Sequence, residues 1–343
     1  MKKLRWIISV LLLFYSTFID AQKKDIKFRE FFTDERMVHV KITTDIKNLL
    51  SEKKSLKEVD ALVTCTFPDS SKIEENIKIQ QRGHFRRDNC YLSSLTLLFN
   101  SKPSNKLAPL KRLKLVGGCG KTSGEEQYLF KEYLIYKMYN LLTDFSFRAR
   151  LIQLTYVDTK NKVKSFSQCA FFLEDIDAVA KRNKYQQKKF VQYSPARTHR
   201  FQTALMSVFQ YMIGNTDWSI PFYHNIRLVV PKSDTNSVPL PIAYDFDVTG
   251  LVNPEYGGPP LDMGIENLTD RLYRGFPVTQ EEIQSVVDLM LQKEQKIFSL
   301  INSFELLNKK NKKEMIYFLQ DFFSIIKNKS MVKNIFITNA RKE

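Results

Sequence analysis

The chain has four histidines in 343 residues, and none stands in an H-x-H or H-x-x-x-H pair, so a histidine-based metal centre has no signal here. No elbow sequence is present from which a catalytic Ser-His-Asp set could be assembled. The four cysteines, Cys65, Cys90, Cys119 and Cys169, are too widely spaced for a compact Cys-x-x-Cys zinc site. Past the first 21 residues no stretch is apolar over the roughly 20 positions a membrane helix needs, and there is no internal repeat or low-complexity tract. Gly117-Gly118-Cys119-Gly120-Lys121-Thr122 resembles a phosphate-binding loop, but Leu115 stands where the first glycine is required. The pairs Asp175/Asp177 and Asp245/Asp247 do not single out a glycosidase. No arginine-aromatic pattern accompanies the basic charge, so nucleic acid is not an expected partner.

The N-terminus, in contrast, is informative. Lys2, Lys3 and Arg5 precede an apolar run from Trp6 to Ile19, and Ile19-Asp20-Ala21 then leads into Gln22. That three-part order predicts a signal peptide over 1–21 and an exported product in a periplasm or at a cell surface, with no transmembrane span in the mature chain. An uncleaved anchor is the alternative. Losing Lys2, Lys3, Arg5 and Asp20 lowers the net charge from +16 to +14, and a basic surface of this kind favours anionic partners. In an oxidising compartment Cys90 and Cys119, both beside predicted strands, form the preferred disulfide. Cys65 and Cys169 sit inside apolar strand patterns and read as core thiols.

Between Arg36 and Val116 short β runs recur: 37–42, 61–67, 77–80, 95–99 and 113–116. A helix follows over about 126–142, then strands at 151–157 and 167–173. After Glu174 helical periodicity takes over at 198–213, 280–303 and 313–327, interrupted by a Gly/Pro-rich loop at 250–260. The expected organisation is α+β, with a sheet-rich part over 22–174, a mainly helical part over 175–343, and ligand binding where they meet.

The chemistry concentrates in Gly214-Asn215-Thr216-Asp217-Trp218, His224-Asn225 and Ala243-Tyr244-Asp245-Phe246-Asp247. An Asp, an Asn eight residues on and an Asp twenty residues beyond are the parts that orient a hydroxyl and hold Mg²⁺ during phosphoryl transfer. Taken singly, Asp217 could cap a turn and Asn225 tether a loop. Asp245 and Asp247 would share one face of a strand and call for a cation between them, or else be splayed by a turn with one carboxylate in the cleft. Lys114, flanked by apolar strand residues, could anchor phosphates with Glu132 as its ion-pair partner, or lie on the solvated face of an edge strand. Glu174 ends a strand where backbone groups could bind a purine. His224 reads as structural.

With Arg82-Gly83 after a strand and Phe171-Phe172-Leu173-Glu174-Asp175-Ile176-Asp177 included, the order of motifs resembles the spore-coat-H (CotH) kinase-like family and, more distantly, HipA-type and lipid-kinase-like atypical kinases. The resemblance implies a two-lobed atypical kinase-like fold using ATP and Mg²⁺ to phosphorylate a protein or glycan hydroxyl. It assigns Asp217 as the catalytic residue, Asn225 and Asp245 to the metal, and Lys114 with Glu132 to the phosphates; the spacing of the aspartates adds Asp247 as a secondary metal ligand. The competing expectation is a non-catalytic exported binding or envelope-assembly protein.

Overall fold

The computed structural model describes residues 31–99, 112–119, 123–189, 192–260 and 263–341. The expected leader, 1–21, lies outside the described residues. Packing separates two compact units. One takes the described residues up to Cys119 together with Arg150–Leu173; the other takes those of Gly120–Ala149 and Glu174–Glu343.

The first unit is built from β1 (Val38–Thr44), β2 (Val59–Thr66), β3 (Lys72–Arg82), β4 (Ser94–Phe99), β5 (Arg112–Gly117), β6 (Ala149–Asp158) and β7 (Phe166–Leu173). They hydrogen-bond in the order β1-β2-β3-β4-β5-β7-β6 and close into a barrel. Closure comes from β1. It runs antiparallel to β2, with Val40 opposite Cys65, and parallel to β6, with Val38 opposite Ile152 and Thr44 opposite Asp158. Successive strand residues point to opposite faces, so Val40 and Ile42, Val63 and Cys65, Ile77 and Ile79, Leu95 and Leu97, Leu113 and Leu115, Ile152 and Leu154, and Phe172 form one buried cluster.

Polar groups secure the barrel ends. The Asp158 carboxylate accepts from the N–H groups of Ile46, Lys162 and Val163 at 2.7–3.0 Å. The buried Arg150 guanidinium lies 4.9 Å above the Phe31 ring, donates to the carbonyls of Phe31 and Arg36, and pairs with Asp34 at 3.0 Å. Cys90 and Cys119 are disulfide-bonded, while Cys65 and Cys169 are buried thiols.

This architecture corrects one expectation. The chain is α+β, but the two-lobed atypical kinase-like fold does not form: a closed, mixed seven-stranded barrel stands in place of the sheet-rich lobe of such a fold. The cause is the parallel β1–β6 pair, which gives β1 a neighbour on both sides and leaves the sheet without an edge. For the same reason β5 is not an edge strand, since it pairs with β4 and β7.

The second unit contains α1 (Ser123–Leu142), α2 (Ile176–Arg182), β8 (Tyr185–Gln187), α3 (Arg200–Met212), β9 (Ile226–Pro231), β10 (Leu240–Ala243), α4 (Gln280–Ser303) and α5 (Lys309–Lys327). The strands form a sheet in the order β10-β9-β8. The middle of α1 is buried on all sides, from Leu129 through Tyr136, as is α3 from Gln202 to Met212. Polar side chains are buried there with the apolar ones: Lys131 and Glu132 in α1, and Gln202, Ser207 and Gln210 in α3. In α4 and α5 the buried residues, among them Ile283, Val286, Val287 and Met290, and Met315, Leu319, Phe322 and Phe323, follow three-to-four spacing. A capping box of Thr279 with Glu282 starts α4. Among the described residues no helix is long and apolar enough to cross a membrane.

Candidate functional site

Helix α3 ends at Met212 with Ile213 as its cap, and the chain turns through Gly214, whose φ of +64° suits glycine. A Cβ there would lie 3.0 Å from Phe318 and 3.2 Å from the Cα of Gly250; one on Gly250 would lie 2.8 Å from the Leu268 carbonyl. The two glycines let these loops approach closely: Gly250 N–H donates to Gly214 O, and Leu251 N–H to Ile213 O. The segment before Asp217 is thereby tied to the segment after Asp247.

Asn215, fully buried, sets the path of the chain into Asp217. Its amide donates to Gln210 Oε1 at 3.0 Å, and its Oδ1 accepts from the Asp217 N–H at 2.9 Å. Arg274 donates to the Thr216 carbonyl. Residues 219–224 then fold back through reciprocal backbone hydrogen bonds between Ser219 and His224, which returns the chain to Asp217. His224 Nε2 lies 2.7 Å from Asp217 Oδ1. An ionised carboxylate only accepts, so with Asp217 ionised the imidazole is the donor. Asn225 donates through Nδ2 to Asp217 Oδ2 at 3.0 Å and to the Asp217 carbonyl at 2.8 Å. Both partners are acceptors, which identifies the amide nitrogen and leaves Asn225 Oδ1 facing elsewhere.

Asn225 also connects to Asp245. Ile226 pairs with Ala243 across β9 and β10, and the Tyr244 N–H donates to the Asn225 carbonyl at 3.0 Å. Asp245 comes directly after and is exposed. Its N–H donates to the buried Tyr136 hydroxyl of α1 at 3.0 Å, and Phe246 beside it is buried against Tyr136, Tyr139 and Phe209 at centroid distances of 4.8–6.3 Å. The aromatic anchor fixes the backbone that carries Asp245. Asn225 and Asp245 both have left-handed backbones, φ +51° and +68°. Asn and Asp tolerate that region better than other side chains, and persistent strain of this kind clusters at functional sites.

The structure thus brings Asp217, Asn225 and Asp245 to one corner of the second unit. Asp245 and Asp247 lie beyond the end of β10, in non-strand backbone, so the shared-face argument does not apply; Asp247 is half-buried. Lys114 is on β5 of the first unit, half-buried and facing away from the barrel interior filled by Leu113 and Leu115. Glu132 is buried in α1 of the second unit, and Lys114, Glu132, Asp245 and Asp247 are each engaged by neighbouring groups. Glu174 has a structural occupation. Its buried carboxylate accepts from Arg182 Nε at 3.0 Å and from the Arg148 N–H at 3.1 Å, and its own N–H donates to the Arg148 carbonyl. Burial pushes the Glu174 carboxyl up, with Arg182 pulling against that rise.

Three contributors escaped sequence reasoning. His224 read as structural, yet it is bonded to Asp217; the tight 219–224 return that joins them has no sequence signature beyond Ser219 and Pro221. Tyr136 registered only as a helix-face residue, and Arg227 drew no notice. Compared with known protein families and curated proteins, the chain matches no family model and no curated protein.

Proposed function

We propose that this corner is the active site of an exported phosphotransferase that moves the γ-phosphoryl group of ATP to a protein or glycan hydroxyl in a Mg²⁺-dependent reaction. The reading rests on the site and not on the fold, since unrelated folds carry the same chemistry. One observation carries it: Asp217 is hydrogen-bonded to Asn225, and Asn225 is paired in backbone to the residue before Asp245, with both Asn225 and Asp245 in left-handed conformation.

Asp217 orients the acceptor hydroxyl. As the hydroxyl oxygen bonds to the γ-phosphorus, the bond from that phosphorus to the β–γ bridging oxygen breaks, ADP leaves with the electron pair, and the hydroxyl proton passes to the Asp217 carboxylate. His224 and Asn225 hold the carboxylate at its two oxygens, so it cannot rotate away from the acceptor.

Among the described residues no group of three His, Cys, Asp or Glu side chains stands ready to hold a metal alone. Magnesium does not require such a group, since it is bound through one or two carboxylates with waters and substrate phosphates completing its shell. Asn225 Oδ1 and the Asp245 carboxylate are the oxygen donors that fit. The ion, when bound, neutralises phosphate charge. Export is supported by the leader-like N-terminus and by the Cys90–Cys119 disulfide, a bond that persists in oxidising compartments.

The test is incubation of the purified protein with γ-labelled ATP and candidate acceptors, alongside calorimetric titration with ATP and Mg²⁺. The expected result is Mg²⁺-dependent transfer reduced by about 10²-fold or more in Asp217→Ala and Asp245→Ala. Wild-type protein that does not bind ATP, or transfer that survives both substitutions, overturns the proposal.

A further inference from the structure

Beside Asp217 the second unit carries a surface hollow of ≈ 740 Å³ that begins at His224 and Asn225. Arg227 and Lys189 supply positive charge to its lining, and Tyr223 and Tyr244 supply aromatic rings. Among the described residues Gln186, Gln187 and Asp177 complete the lining, and none of these contributes an aliphatic side chain. A peptide-binding groove needs apolar pockets for side chains; planar amides, an imidazole, tyrosines and a carboxylate suit a ligand covered in hydroxyl groups.

Arg227 is the most constrained of these groups. Its guanidinium carbon lies 4.5 Å from the Tyr244 ring centroid and 5.4 Å from that of Tyr223, and Nη1 donates to the Ile226 carbonyl at 2.9 Å. Tyr223 is itself fixed, its hydroxyl donating to the Lys188 carbonyl. Two rings and a carbonyl set the plane of the guanidinium while most of its five donors stay unused. Among the described residues neither Arg227 nor Lys189 has a carboxylate partner within ion-pair distance. Two other half-buried arginines of this unit are paired with carboxylates: Arg182 with Glu174, and Arg271 with Asp321. A guanidinium held rigid, beside a second cation and without a counter-ion, is a ready fork for a carboxylate or a phosphate.

We infer that the hollow is the acceptor subsite and takes an anionic carbohydrate, whose charged substituent rests on Arg227 and Lys189 while a hydroxyl is presented to Asp217. The role as acceptor subsite rests on the phosphoryl-transfer reading; the binding does not. Asp177 and the two glutamines receive the remaining sugar hydroxyls.

Binding is measured by calorimetry without ATP or Mg²⁺, using trigalacturonate for a carboxylated sugar, glucose 6-phosphate for a phosphorylated one, maltotriose as the neutral control and an oligo-aspartate peptide. At least one anionic sugar binds, its affinity falls with added salt, and Arg227→Met weakens it about ten- to a hundredfold. Lys189→Met, at an exposed position where folding is not at stake, weakens it about two- to fivefold. Because this binding is read without ATP and Mg²⁺, failed phosphoryl transfer and failed sugar binding are told apart. Equal affinity for maltotriose, tighter binding of the peptide, no sugar binding at all, or binding indifferent to both cation substitutions overturns the inference.

Discussion

Replacing Asn225 by glycine and by alanine separates backbone strain from side-chain chemistry at the centre of the site. At φ +51° alanine costs roughly 1–2 kcal/mol, whereas glycine occupies this region freely. Both substitutions remove the two hydrogen bonds to Asp217, at 2.8 and 3.0 Å, with a net value of about 0.5–1.5 kcal/mol each. Asn225→Ala should therefore lose about 2–5 kcal/mol of stability and Asn225→Gly about 1 kcal/mol less than that. Urea unfolding reads this directly. Trp6 and Trp218 are the two tryptophans of the chain, so protein produced from Gln22 onward reports through Trp218 alone, which is buried one residue from Asp217. Phosphoryl transfer should fall to the same extent in both variants, because both lack the amide. A glycine variant as unstable as the alanine variant would refute the account of backbone strain, and transfer retained by either would remove Asn225 from the chemistry.

The remaining predictions concern the first unit. Hydrogen bonding from Arg36, with Arg150 adding charge, lowers the Asp34 carboxyl from 3.8 to about 2. A folded value below the unfolded one means the stabilisation is complete above about pH 4 and fades as pH falls toward 2. Asp34→Asn should then cost about 1 kcal/mol at neutral pH and nothing near pH 2 in urea titrations; a gap that is constant down to pH 2 contradicts this. Burial pushes the Cys65 thiol up to about 12, so intact protein at pH 8 should resist iodoacetamide, and unfolding without reductant should expose two alkylatable thiols by mass spectrometry. Reducing Cys90–Cys119, 29 residues apart, should lower stability by about 3–4 kcal/mol; four thiols in the oxidised, unfolded protein would disprove the pairing.

What could be read in advance was local. Strands with strict alternation, such as Val38 to Thr44 and Val59 to Thr66, announce themselves through side-chain period. The helix read from three-to-four spacing over 280–303 is α4, Gln280–Ser303. The disulfide was legible because two cysteines fell beside strands and two within them. Barrel closure was not, since β1 and β6 are over a hundred residues apart and no local signal names a parallel partner. At the site, Asp217, Asn225 and Asp245 stood out by residue type and spacing, but the bond from His224 to Asp217 depends on a tight return. Left-handed backbone at Asn225 and Asp245 had only the permissive side chains to hint at it.

The threading of α1 between β5 and β6 bears on how the protein can be dissected. Strand β7, which joins β5 to β6, ends at Leu173, so a fragment that stops earlier lacks the piece that seals the cylinder and presents unpaired strands to other chains. A soluble version of the first unit needs a short splice from Cys119 to Arg150 rather than a simple truncation, and the excised helix must travel with everything after Leu173.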